Sequence, residues 1–175
     1  SYYFLGNGHI QAAVQTAPGG DGTPVGLLIM DPDRLRKKRE ALTMDERTGL
    51  DRTAARIAEG GRSHRAEAGA FTAIWTEGCS VPTVVVRWRT AGFAVEEYYS
   101  CPDVSSPAVA REVVITNRTK RRLRLRFETG VRAHVLEKSF PLDPGASRTI
   151  ALRYLLRSER DEVVPEFSRK AALNK

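Results

Sequence analysis

A chain of 175 residues suits one domain, or one domain with an appendage, and can bury roughly two thirds of its unfolded surface without disulfide or metal staples. Hydrophobic residues at 41% and charged residues at 28% are those of a globular chain, and no apolar run reaches the length of a membrane-spanning helix. The net charge of +7 raises nucleic acid as a partner, but "RTKRRLRLR", residues 118–126, holds six basic residues and no acidic one, and the rest of the chain is close to neutral.

In chain order, Tyr2 to Leu5 and Ile10 to Gln15 read as short strands around Gly6-Asn7-Gly8. A phosphate-cradling glycine loop needs a strand feeding a helix N-terminus, with GxGxxG spacing or a P-loop lysine. Both are missing, so the chain is expected to reverse here as a hairpin. "TAPGGDGTP", residues 16–24, is loop, and "VGLLIMD", residues 25–31, is an apolar strand.

"DPDRLRKKREAL" has the start of a helix, with Asp31 as N-cap and Pro32 in the first turn. "GLDRTAARIAEGG", residues 49–61, also reads as helix by its alanine content and Gly-Gly stop. From residue 70 the strand signal dominates, in "AFTAIWTEG", "TVVVRW", "GFAVEEYYSC", "AREVVITN", "RRLRLRF" and "RTIALRYLLR". Leu123, Leu125 and Phe127 share one face, and Arg122, Arg124 and Arg126 the other. Such alternation, with turns at 116–120 and 142–147, predicts an all-β fold, an antiparallel sandwich over residues 1–157. Residues 158–175 lose the alternation, gain helical composition, and read as a linker.

Candidate chemistry is sparse. His9, His64 and His134 are too scattered for a metal motif, and no cofactor is expected. Glu96 and Glu97 are adjacent, so on a strand they point to opposite faces and cannot form a glycosidase pair. The segment with Asp31, Asp33, Arg34, Lys37, Lys38 and Arg39 lacks sandwich periodicity and is the best candidate for an interdomain or substrate-cleft loop. The Arg122, Arg124 and Arg126 face is either a solvated outer or edge surface or an anion surface, and nucleic acid is disfavoured because no aromatic platform is interleaved. Asn117-Arg118-Thr119 matches a glycosylation sequon but reads as a turn. Trp75 and Trp88 are expected in the core, with Tyr98 and Tyr99 the remaining aromatics that could stack on sugar. Cys79 and Cys101 make no disulfide framework and no secretory leader is visible, so a reduced, cytoplasmic protein is expected.

Three segments together carry a resemblance. "YFLGNGHIQAAV", "REVVITNRTKRRLRLRF" and "FPLDPGASRTIALRYLLR" resemble, in order, units of the N-terminal β-sandwich domains of glycoside hydrolases and phosphorylases with an (α/α)6-barrel catalytic domain, the glucoamylase-like, glycogen-debranching-like and cellobiose-phosphorylase-like enzymes. They touch both ends of residues 2–157, and the middle is poorly matched. The resemblance implies a strand at "GLDRTAARI", against its propensity. It also implies that the catalytic carboxylates belong to a helical barrel beyond the linker. The expected function is that of a non-catalytic sandwich domain, with the barrel of its own polypeptide as partner and an oligo- or polysaccharide as a second candidate partner. The alternatives are a stand-alone carbohydrate-binding module and, last, a basic anion- or nucleic-acid-binding protein.

Overall fold

The computed structural model describes residues 1–16, 25–30, 42–43, 51–76, 80–160 and 162–169. The protein is all-β, built of antiparallel sheets. At the N-terminus β1 (Tyr2–Gly6), β2 (Gln11–Gln15) and β3 (Gly26–Met30) form a three-stranded sheet. A second sheet holds β4 (Arg56–Glu59), β5 (Arg62–His64), β10 (Leu123–Val131) and β11 (His134–Leu142), in the order β11-β10-β4-β5. The third, ordered β13-β12-β9-β8-β7-β6, has six strands: β6 (Phe71–Trp75), β7 (Thr83–Arg89), β8 (Phe93–Ser100), β9 (Ala108–Asn117), β12 (Ser147–Arg157) and β13 (Glu162–Phe167).

The period-two pattern becomes burial residue by residue. In β10, Leu123, Leu125 and Phe127 are buried while Arg124 and Arg126 are exposed. In β12, Ile150, Leu152, Tyr154 and Leu156 are buried between exposed or half-buried neighbours. One continuous apolar core joins these residues to Leu27 and Ile29 of β3 and to Val113 and Ile115 of β9. All three sheets therefore share a single interior, the arrangement of a sandwich.

The opening Gly-Asn-Gly is a hairpin turn. Gly6 pairs with Gln11, and Gly8 takes φ +89°, a conformation that costs glycine little. The Asn7 side chain holds the turn. Its Oδ1 accepts from the His9 and Ile10 amides, and its Nδ2 donates to the Asp103 and Ser106 carbonyls at 2.5 and 2.7 Å.

Asn117 does the same at the β9–β10 turn. Its Nδ2 donates to the carbonyls of Arg121 and Leu142, its Oδ1 accepts from Thr119, and its backbone bonds to Gly145 and Ala146. The sequon is a turn, with the asparagine buried. The same bonds interlock two of the three segments that carry the resemblance.

Three expectations need correction. The helix expected over 49–61 is not formed by its described residues, 51–61: a short 3-10 turn at Asp51–Thr53 leads into β4, Gly60 turns at φ +61°, and β5 returns. The alanines misled because Ile57, fully buried opposite Phe127, gains more from the core than helix propensity offers. Residues 162–167 are a strand, not part of a linker: β13 pairs with β12 from Leu152↔Phe167 to Arg157↔Glu162, with Val163 buried. The sandwich thus extends past residue 157 to Phe167. Trp88 is buried as expected, but Trp75 is 41% exposed, at the end of edge strand β6 beside Tyr3.

The helix reading that begins at Asp31, and the whole candidate loop of Asp31, Asp33, Arg34, Lys37, Lys38 and Arg39, lie outside the described residues.

Candidate functional site

Two clusters of charge stand out, one inside the molecule and one on its surface. The inner one begins with an arginine on an apolar strand face. Arg111 of β9 lies on the same side as Val109, Val113 and Ile115, directly opposite Tyr99 of β8, and is wholly buried. Its guanidinium Cζ sits 5.0 Å from the centre of the Tyr99 ring.

Burying a guanidinium requires a charge partner and acceptors. Arg111 finds them for both terminal nitrogens, while its Nε has no partner among the described residues. Glu97 of β8 supplies the charge, with Oε1 accepting from Arg111 Nη2 at 2.5 Å and from the Tyr99 hydroxyl at 2.8 Å. Its Oε2 accepts from Trp88 Nε1 at 2.8 Å. Arg111 Nη1 donates to the Thr53 carbonyl, the Tyr154 hydroxyl and Thr129 Oγ1, at 2.7, 2.7 and 3.2 Å.

Burial works against the Arg111 charge, yet Tyr154, Tyr99 and Glu97 outweigh it and hold the guanidinium well above its usual range. Burial pushes the Tyr99 hydroxyl well above the usual phenol range, so it remains a donor. Both carboxylate oxygens of Glu97 are committed to structural bonds. The cluster works as a tie between layers, because Thr53 and Thr129 belong to the side facing the six-stranded sheet. Thr53 also accepts from the Leu27 amide of β3, which brings the three-stranded sheet into the same network.

Glu96 points the other way, as the alternation requires. It pairs with Arg87 at 2.8 Å and accepts from Tyr98, on the outer face. Tyr98 and Tyr99 are thereby divided between an outer ion pair and the inner network.

The outer cluster is the arginine face of β10. Arg122 pairs with Asp143 at 3.2 Å, both largely exposed, a contact of little energetic weight. Arg124 and Arg126 stand free of acceptors among the described residues. An open trough of about 660 Å³ runs over them. Of the three residues foreseen as an anion surface, the trough takes in all.

The histidines are dispersed. His64 meets Phe93 edge-on, His134 bonds to Glu162 at 2.9 Å, and among the described residues no group of three metal-ligating side chains forms. No helix among them is long and apolar enough to cross a membrane.

Cys101 is buried and free, and burial pushes its thiol from an ordinary value near 9.0 up to about 11. A thiol raised in the folded state contributes stability that is whole below pH 9 and lost as pH rises through 11. That window is worth up to roughly 2–3 kcal/mol. Alkaline denaturation of Cys101→Ala should lack this part of the slope and keep the contributions of Tyr98 and Tyr99, which begin higher. An unchanged slope between pH 9 and 10 would remove Cys101 as the cause.

Sequence reasoning placed no significance on Arg111. Its signal was present, since position 111 has the parity of three apolar neighbours, as Glu97 has the parity of Phe93, Val95 and Tyr99. Comparison with protein-family models, with curated proteins and with solved structures finds no match to this chain.

Proposed function

We propose that this chain is a non-catalytic β-sandwich domain of a carbohydrate-active enzyme, a glycoside hydrolase or phosphorylase of glycogen-debranching type. It packs against a helical barrel domain of the same polypeptide and helps to shape the active site there. The three resembling segments support the reading by their order. The observation that carries it is an exposed aromatic pair on β1, the edge strand of the N-terminal sheet. Tyr2 and Phe4 alternate with the inward Tyr3 and Leu5, are 55% and 67% exposed, and have ring centres 6.3 Å apart.

On that face Phe4 is followed across the sheet by buried Ala13 of β2 and half-buried Leu28 of β3, so the sheet has apolar residues on both sides and its exposed part is the β1 edge. Exposed patches of that kind mark surfaces that another body covers. The inner carboxylate Glu97 is bound into a structural network, so the chemistry is assigned to acidic residues of the barrel.

The expected result is that the purified 175-residue chain folds cooperatively yet neither hydrolyses nor phosphorolyses α-glucans or β-glucosides. Turnover by the isolated chain would overturn the proposal, and so would a native polypeptide with no helical domain after it. The competing carbohydrate-binding module rests on Trp75, which is accessible where Trp88 and Tyr99 are not. Isothermal titration with maltooligosaccharides and cellooligosaccharides separates the two readings, since a module releases heat with one of these series and a scaffold with neither.

A further inference from the structure

The arginines of β10 were explicable as edge protection, which charged side chains provide on outermost strands. The topology removes that explanation. β10 is an inner strand, hydrogen-bonded to β11 on one side and β4 on the other, and the edges of its sheet are β11 and β5. Arg124 and Arg126 therefore guard no edge.

Their cross-strand neighbours on the same face are small, and Glu128, the next residue of that face along β10, lies outside the trough. Arg126 lies opposite Ser139 of β11 and Ala58 of β4, Arg124 lies opposite Pro141, and Gly60 follows β4 on the other flank. The two long side chains thus rise from a floor of short ones, and the trough they occupy has no carboxylate in its lining. Two residues apart on a strand, their Cα atoms are separated by about 6.7 Å, so both guanidinium groups can converge on one tetrahedral anion. Arginine suits that task, because its planar fork of N–H donors matches the oxygens of a phosphate. Ser139 adds a hydroxyl donor on the β11 flank.

We propose that this trough binds a phosphate-class oxyanion, with Arg124 and Arg126 as the paired ligands and Arg122 recruited from its exposed pair with Asp143. The ligand is small, a free phosphate or the phosphate ester of a sugar. The lining holds no outward aromatic on which a nucleic-acid base could stack. This assignment stands independently of the carbohydrate-enzyme reading.

The test is isothermal titration of the full 175-residue chain at low salt with inorganic phosphate, with glucose 6-phosphate, and with glucose as the uncharged control. Saturable binding of a phosphate probe, absent for glucose and weakened at least tenfold in Arg124→Gln/Arg126→Gln, is the expected result. The double Lys variant, Arg124→Lys/Arg126→Lys, keeps the charge but not the fork and should fall between. Equal affinity for the two probes identifies free phosphate as the ligand, and a tenfold preference for the ester identifies a sugar phosphate.

Thermal melting of each variant checks that the fold is intact, and these exposed changes should leave the melting temperature unchanged. No binding of either phosphate probe would overturn the proposal. So would binding that survives in the double Gln variant, or in which Arg87→Gln, on another sheet, has the same effect. Tighter binding of a single-stranded oligonucleotide than of either probe would overturn the small-ligand assignment.

Discussion

Replacing Arg111 with methionine lowers the free energy of unfolding by about 3–5 kcal/mol, read from the midpoint and slope of urea denaturation. The cause is the carboxylate left behind. Glu97 is 1% exposed, and without the guanidinium its charge has only the Trp88 and Tyr99 donors to stabilise it. Removing that charge as well should restore part of the loss. In Arg111→Met/Glu97→Gln, the amide oxygen still accepts from Trp88 and the amide nitrogen donates to the Tyr99 oxygen. The double variant is therefore expected to be more stable than Arg111→Met alone by about 1–2 kcal/mol. A double variant no better than the single would show that packing of the long side chain, not the ion pair, accounts for the cost.

The second large effect tests the alternation of β10 within one pair of adjacent residues. Phe127→Ala should cost about 3–5 kcal/mol, since the ring is fully buried opposite Ile57 and its removal leaves a cavity. Arg126→Ala, one residue earlier, should stay within about 0.5 kcal/mol of the parent, because its side chain points into the open trough. Both are measured by the same denaturation. Comparable losses at the two positions would contradict the register of β10 between β4 and β11.

How much of this could be read beforehand varied with the physics of each segment. Strands β6 to β10 and β12 were legible from their branched and aromatic residues, and in β10 burial follows the period of two from Leu123 to Thr129 before Gly130 breaks it. β11 was not foreseen, since only Phe140 and Leu142 of its nine residues are buried. The hairpin at Gly6-Asn7-Gly8 was legible from missing parts, namely the third glycine and the helix that a phosphate loop would need. Segment 49–61 was misread because helix propensity is a sum of small local terms. Pairing of Ile57 with Phe127, some seventy positions along the chain, is a tertiary event that no local window contains. β13 was missed for the same reason: six residues with a central Pro165 carry little strand signal until β12 is beside them.

The arginine face was recognised, but its place on an inner strand was not, because strand order is a property of the whole sheet. Arg111 is the instructive case. A lone arginine among strand residues ordinarily marks the wet side, and here parity outranks polarity. The interior was able to take it because Glu97 shares that parity on the neighbouring strand.

β13 also bears on where this unit can be divided. A polypeptide severed after Arg157 would lose the ribbon that caps β12, baring a row of amides and carbonyls from Leu152 to Arg157 and opening the cover over Tyr154 and Leu156. Severed copies would associate through that raw flank, or take up the missing Glu162–Phe167 piece as a separate peptide, and either behaviour would disguise a cutting fault as an oligomeric state.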